Sequence, residues 1–457
     1  MSHEPFSPDV ESLRTRLAAL MPAVRADLER LVRIPSVSAD AFDQSTLETS
    51  ASTVEQLLRD AGIDDVEILR VEGGRPAVVG RRPGPAGAPT VMLYAHHDVQ
   101  PPGAEDAWET SAFEPTERDG RLYARGAADD KAGIMAHVAA LRLLGDELGV
   151  GVVLFIEGEE EIGSPTFTAF LETYRERLAA DVIVVADSLN PKVGTPGLTT
   201  TLRGLVDGTI TVRTLKHAVH SGVFGGAAPD AMLATIRLLD SFWTADGAVA
   251  VEGLTASESD AADYPEADFR SDAGVLDGVE LIGGGTINSR IWTRPAMSVI
   301  GIDAPAVAQS SNTLIPEVRV KFSVRIAPGQ DPTAALDAIR EHALKNAPFG
   351  AQVEVTEGEK GQSFRADVEG PVYDAARWAL EKSWGTPSVA IGIGGSIPFV
   401  ADLKQTYPNA SVLITGVEDP DSRAHGANES LHLAEFEKAC LAEALLLAAL
   451  AEQNRDK

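Results

Sequence analysis

Apolar residues recur at helical spacing from Asp9 to about Val32, at Leu13, Leu17, Leu20, Val24, Leu28 and Leu31, which predicts an amphipathic helix. A second helix is expected near Thr46–Asp60. The pattern then changes to short unbroken apolar runs: Val91-Met92-Leu93-Tyr94, Val152-Val153-Leu154-Phe155-Ile156 and Val182-Ile183-Val184-Val185. Runs of this length predict strands covered on both faces. Helical patterns at Lys131–Leu144 and Thr166–Leu178 separate them. Strands alternating with helices predict an α/β fold, a mainly parallel sheet with helices on both faces.

After Arg203-Gly204 the period becomes two. Gly208, Ile210 and Val212 alternate with Thr209, Thr211 and Arg213, and Val318, Val320, Phe322, Val324 and Ile326 with Arg319, Lys321, Ser323 and Arg325. Such alternation predicts a sheet with one covered face, covered here by helices at Asp230–Phe242 and Pro332–Lys345. The acidic stretch Ser257–Asp277 is expected to be a loop. From about Gly370 the first pattern returns, with a helix at Tyr373–Trp384, strands at Ser388–Ile391 and Ser411–Ile414, and a last helix at Leu433–Ala451. The expected organisation is a discontinuous main domain, residues 1–205 and 366–457, with a smaller α+β domain, 206–365, inserted in it. A chain of 457 residues is long enough for two cores.

Charge narrows the partners. With 39 basic and 68 acidic residues the net charge is −29, which argues against nucleic acid and anionic membranes. No apolar run reaches the roughly 18 residues that would span a bilayer. Cys440, the single cysteine, sits in an apolar helical stretch and is expected to be a packing residue. The expected compartment is the cytoplasm.

The polar residues that follow the apolar runs carry the chemistry. His96 and Asp98 follow the first run, Glu159-Glu160-Glu161 the second after Glu157-Gly158, and Asp187 the third after Ala186. Strand carboxyl ends are where open α/β sheets form their ligand crevice, and the residue types are those that hold divalent cations. His96 and Asp98, two apart in extended chain, face the same way, so Asp98 can orient the imidazole while His97 faces elsewhere. Asp129-Asp130 opens a helix, where an N-cap is the ordinary role. A pair of metals also needs a bridging carboxylate, and Asp129 is the best candidate. Glu160-Glu161 offers one carboxylate for a metal and one for a proton. A last ligand from the final segment is expected at His425, with His432 the competitor. His137 reads as an interior or surface histidine.

Together the stretches Tyr94–Pro101, Arg125–Gly133, Glu157–Ser164 and His425-Gly426-Ala427-Asn428-Glu429 resemble, in order, the motifs of the dinuclear zinc metallopeptidases. That family includes carnosinase-like dipeptidases, glutamate carboxypeptidase, aminoacylases and succinyl-diaminopimelate desuccinylase, and the carnosinase-like branch is the most similar. The resemblance implies a zinc-exopeptidase-like fold with a lid and dimerisation domain, a homodimer, and two divalent ions, with zinc expected and manganese or cobalt as alternatives. It implies His96, Asp129 and Asp187 on one ion and Asp129, Glu161 and His425 on the other. Glu160 would be the general base, Asp98 the support of His96, and the Asp129–Asp130 peptide cis. His220, in His217-Ala218-Val219-His220-Ser221-Gly222, would polarise the scissile carbonyl. Asn312, Thr313, Arg325 and Ser396, the last in Gly394-Gly395-Ser396-Ile397-Pro398, would contact substrate. The implied reaction is hydrolysis of the amide bond of a dipeptide. An N-acyl-amino-acid deacylase and a non-catalytic metal-binding homologue are the alternatives. His97 stands where relatives often carry tyrosine and is a conceivable additional ligand.

Overall fold

Val, Ile and Leu runs with no exposed position force their strands into the middle of a sheet, and a computed structural model shows them there. The structure describes residues 6–259, 263–394 and 398–453. The chain divides into two units, Met1–Thr200 with Ala366–Ile391 and Asp402–Lys457, and Thr201–Arg365 with Gly392–Ala401.

In the first unit the strand order is Asp65–Leu69, Ala77–Arg82, Gly151–Glu157, Thr90–His96, Val182–Val185, Ser411–Ile414 and Gly197–Leu202. The four from Gly151–Glu157 to Ser411–Ile414 are parallel. Strands 65–69 and 77–82, absent from the sequence reading, add an antiparallel flank. Parallel register sets His96 opposite Glu157 and Tyr94 opposite Val185, so the polar residues after these strands emerge side by side.

Helices cover both faces of this sheet. Val10–Val32, Lys131–Leu144, Pro371–Trp384 and Leu433–Glu452 share one continuous apolar core. The last is apolar nearly all round and correspondingly buried. The other face is closed by aromatic rings: Phe155 stacks on Phe170 at 5.1 Å and on Phe167 at 5.6 Å, and meets Tyr94 edge-on. The helix carrying those phenylalanines, Phe167–Thr173, is shorter than the expected 166–178; its end gives way to turns, with Leu178 N–H donating to Tyr174 O at 3.0 Å. Gly416 lets strand Ser411–Ile414 run on beside the segment after Asp187, since a Cβ there would lie 1.7 Å from Ser188 O.

The second unit is a four-stranded antiparallel sheet in the order Ala296–Asp303, Glu317–Ile326, Gly204–Arg213, Gln352–Gly361. Helices Ala231–Asp240 and Pro332–Lys345 pack on it around Val206, Ile210, Phe322 and Leu336. The stretch 257–277 is not all loop: Glu266–Asp272 is a helix, with Arg270 Nε donating to Glu266 Oε1 at 2.8 Å. Acidic composition hid it, because a short exposed helix needs no apolar stripe. Among the described residues no helix is long and apolar enough to cross a membrane.

Candidate metal centre

His96, the last residue of its strand, is fully buried. Its Nδ1 lies 3.1 Å from the carbonyl oxygen of Asp98 and 3.4 Å from Asp98 Oδ1. Both are acceptors, so Nδ1 carries a proton and Nε2 is left to bind a ligand. Nε2 faces Asp129 Oδ1 at 3.1 Å. The second oxygen of Asp129 is 3.0 Å from His425 Nε2, which is also 3.3 Å from Glu161 Oε2. Asp129 therefore stands between two imidazoles. Glu160 and Asp187 gather around His96 as well. His96, Glu160 and Asp187, and separately His96, Asp129 and Glu161, each offer donor atoms within 4.8 Å of one another.

Main-chain donors hold these carboxylates in place. Asp98 accepts from the N–H groups of Glu160 at 3.2 Å and Glu161 at 3.0 Å, so it fixes the glutamate turn as well as the His96 ring. Gln100 N–H donates to Glu161 Oε1 at 3.0 Å, and His96 N–H to Asp130 Oδ2 at 3.2 Å. The Asp129–Asp130 peptide is cis. His97 is in neither of these donor groups, and its Nε2 donates instead to Pro76 O at 2.8 Å. His432 accepts the Glu435 N–H at 3.4 Å and caps the last helix. His137 is buried against Glu443 at 2.7 Å and Tyr94 O at 3.0 Å.

The electrostatics of the cluster fit a cation pair. Desolvation, then the Asp129 charge, pushes Glu161 up to about 7. Desolvation with Asp129 beside it pushes Asp187 up to about 6, and desolvation with Asp187 lifts Glu160 well above the usual range. Hydrogen bonds to Asp129 and Glu161 hold His425 up at about 11. Protons thus sit where carboxylates and imidazole lone pairs converge, the positions a dication would take. The donor set, carboxylate oxygen with imidazole nitrogen, suits zinc-type ions.

A pH dependence follows. Glu161 and Asp187, raised above their unfolded values, keep protons in the folded state that the unfolded chain releases, so each lowers stability as pH rises from about 4 to 7. Glu160, Glu157, Glu418 and the raised His96, His137 and His425 act in the same direction, while His97 and Lys131 oppose it. The metal-free protein is expected to melt lower at pH 8 than at pH 5. Metal, which displaces those protons, is expected to raise the melting temperature more at pH 8. Calorimetry with and without chelator reads both, and a metal-induced rise that is larger at pH 5 would refute the coupling.

Glu418 is in neither donor group but feels their charge: desolvation, then Asp129 and Asp187, raise it well above the usual range. It follows strand Ser411–Ile414 closely, the signal that pointed to Asp187.

In the second unit His220 and Thr313 pair across a two-stranded ribbon, and Ser221 N–H donates to Asn312 O at 2.9 Å. All three of His220, Asn312 and Thr313 are exposed. His220 Nδ1 accepts from Gly222 N–H at 3.0 Å, which leaves Nε2–H as a donor. Arg325 is on strand Glu317–Ile326, opposite Leu205 and Ala296. Desolvation, with Arg325 nearby, lowers Arg203 to about 10. Ser396 lies outside the described residues.

The model of peptidase family M20/M25/M40 matches residues 92–449. A cysteinylglycine-S-conjugate dipeptidase of Corynebacterium striatum is 36% identical over 413 residues, 88% of this chain and 90% of that protein. A Cys-Gly metallodipeptidase of Schizosaccharomyces pombe is 28% identical over 439 residues, 90% and 92% of the two chains. The fold is shared with human carnosine dipeptidase 1 at a TM-score of 0.77 and 22% identity, covering 98% of this chain and 100% of that one. With the His96, Asp129 and His425 cluster lying inside the matched region, this chain belongs to peptidase family M20/M25/M40.

Proposed function

We propose that this protein is a dinuclear metallo-dipeptidase, with zinc as its metal, that cleaves the amide bond of small dipeptides. The observation that carries the reading is Asp129 set between His96 and His425 at 3.1 and 3.0 Å, with Glu161, Asp187 and Glu160 around them. His96, Asp129 and Asp187 would hold one ion, and Asp129, Glu161 and His425 the other. Such ions acidify water and draw charge from a carbonyl. Glu160 takes the proton from the attacking water and delivers it to the leaving amine. Asp98 keeps Glu160 and Glu161 on their turn. In the second unit, His220 Nε2–H is a donor suited to a developing oxyanion. Arg325 has the planar fork that recognises a carboxylate. Asn312, Thr313 and Ser396 complete the proposed substrate contacts.

Relatives named for cysteinylglycine substrates point to dipeptides of that class. The deciding experiment is a panel on the zinc-reconstituted chain: Cys-Gly, its S-conjugates, β-Ala-His, and N-acetyl and N-succinyl amino acids. Release of free amino acids from the dipeptides is expected. Turnover of the N-acyl compounds alone would replace the reading with a deacylase.

Two further features belong to the proposal. Strand Ala296–Asp303 is a sheet edge with Val299, Ile300 and Ile302 exposed, and Leu233 and Ile236 are exposed on helix Ala231–Asp240. An open apolar edge of this kind suits a homodimer; a monomer in sedimentation at micromolar concentration would rule it out. A cytoplasmic setting suits the lone thiol of Cys440, and recovery of the protein only outside the cell would exclude it.

A further inference from the structure

Asp129 and His425 come from distant parts of the chain, and their relative position must be set by something other than their own elements. His425 stands on left-handed backbone, φ +63°, in a loop where Arg423 and Asn428 are also left-handed, and its imidazole is 59% exposed. The anchor of this loop is Glu429, which is fully buried. Its Oε1 accepts the main-chain N–H groups of Ala128 at 3.1 Å and Asp129 at 3.2 Å. Its Oε2 accepts from Arg125 Nη1 at 2.5 Å, a residue 1% exposed and 304 positions away. Its carbonyl oxygen accepts from Ala124 N–H at 3.0 Å. Arg125 in turn donates to Pro101 O at 3.4 Å, on the segment that follows His96 and Asp98, and its guanidinium lies over the Trp108 ring at 5.6 Å. Beside it Asn428 is pinned by Glu109 N–H at 2.9 Å and donates to Ala107 O at 3.0 Å. Glu429 and Arg125 thus tie together the three segments that carry His96, Asp129 and His425.

We propose that Glu429, held by Arg125, is a positioning residue that sets the spacing between Asp129 and His425 and so governs the second metal position. The proposal rests on the dinuclear reading above. Only a carboxylate meets all the donors: two main-chain N–H groups on one oxygen and a guanidinium on the other. An amide would turn an NH2 toward one of them. With the anchor only a few residues from His425, a shift in its seat moves the ligand.

The test uses the full chain. Glu429→Gln alone would strand a buried guanidinium, so the variants are the double substitution Arg125→Met with Glu429→Gln, and Glu429→Asp, which keeps the charge but is one methylene short. Each is titrated metal-free with Co2+, followed by visible absorption, beside its melting temperature and its kcat and KM. The wild type is expected to bind two equivalents. The double variant is expected to bind the first as the wild type does and the second about 10–100-fold more weakly, the usual cost of losing an outer partner of a metal ligand. A fall in kcat with little change in KM is expected with it. Glu429→Asp is expected to weaken the second equivalent less. If both equivalents bind the double variant with wild-type affinity, the clamp is only structural and the proposal falls, whatever the melting temperature does. If that variant does not fold, the same titration of Glu429→Asp decides, with unchanged binding overturning the proposal. A wild type that takes up no metal would overturn the dinuclear reading and the clamp together.

Discussion

Replacing Asp129 by alanine is expected to lower turnover by about 10⁴-fold, since a metal pair supplies several kcal/mol of charge stabilisation and each ~1.4 kcal/mol is tenfold in rate. The reason is geometric. Its two oxygens face His96 Nε2 and His425 Nε2, so in the proposed dinuclear centre one deletion would take a ligand from both ions and the shared negative charge from between them. The remaining groups cannot compensate, because Glu161 is already placed against His425, and Asp187 and Glu160 against His96. Metal stoichiometry by elemental analysis after dialysis is expected to drop from two toward zero. The metal-free fold is expected to survive: the charge of Asp129 is one of the causes that raise Glu161, Asp187 and Glu418, so its loss relieves repulsion while it removes the attraction to the two imidazoles. A folded Asp129→Ala protein that keeps two metals and near-normal turnover would show that the bridge is elsewhere.

Sequence alone reached a large part of this. The strands around the site were legible because runs such as Val182–Val185 have no exposed position, and the cluster residues His96, Glu160, Glu161 and Asp187 because they end or closely follow such runs. The two-residue spacing of His96 and Asp98 correctly placed both on one side of an extended segment. Asp98's grip on the glutamate turn was not legible, because it depends on two strands lying adjacent, and adjacency is a property of the sheet. The Arg125–Glu429 pair was hidden for the same reason: a buried ion pair across 304 positions leaves no periodic trace. Glu418 was legible in principle, since it follows strand Ser411–Ile414 as Asp187 follows its own strand. The flanking strands 65–69 and 77–82 were missed because they are short, one with only Val66 and Ile68 as its apolar phase and the other interrupted at Gly80, and their place is settled by pairing, 77–82 with Gly151–Glu157 and 65–69 with 77–82.

Glu160→Gln separates the proposed role of Glu160 as a base from a role as a metal ligand. Glutamine keeps the size of the side chain and one acceptor oxygen but cannot take a proton. Glu160 opens the short turn Glu160–Ile162, its N–H fixed by Asp98 Oδ1 at 3.2 Å, so the substitution should leave the turn in place. Desolvation and the neighbouring Asp187 raise its proton affinity well above that of an ordinary glutamate, the direction a general base needs to work near neutral pH. Yet Glu160 also lies within ligand distance of His96 and Asp187, so geometry alone would let it hold metal. As a base, its loss is expected to lower kcat by about 10²–10⁴-fold, the usual share of general base catalysis, with two metals retained and KM little changed. As a ligand, its loss would remove one equivalent and carry kcat down with it. Retention of both metals with near-wild-type kcat would refute the base assignment, because another group would then be taking the proton.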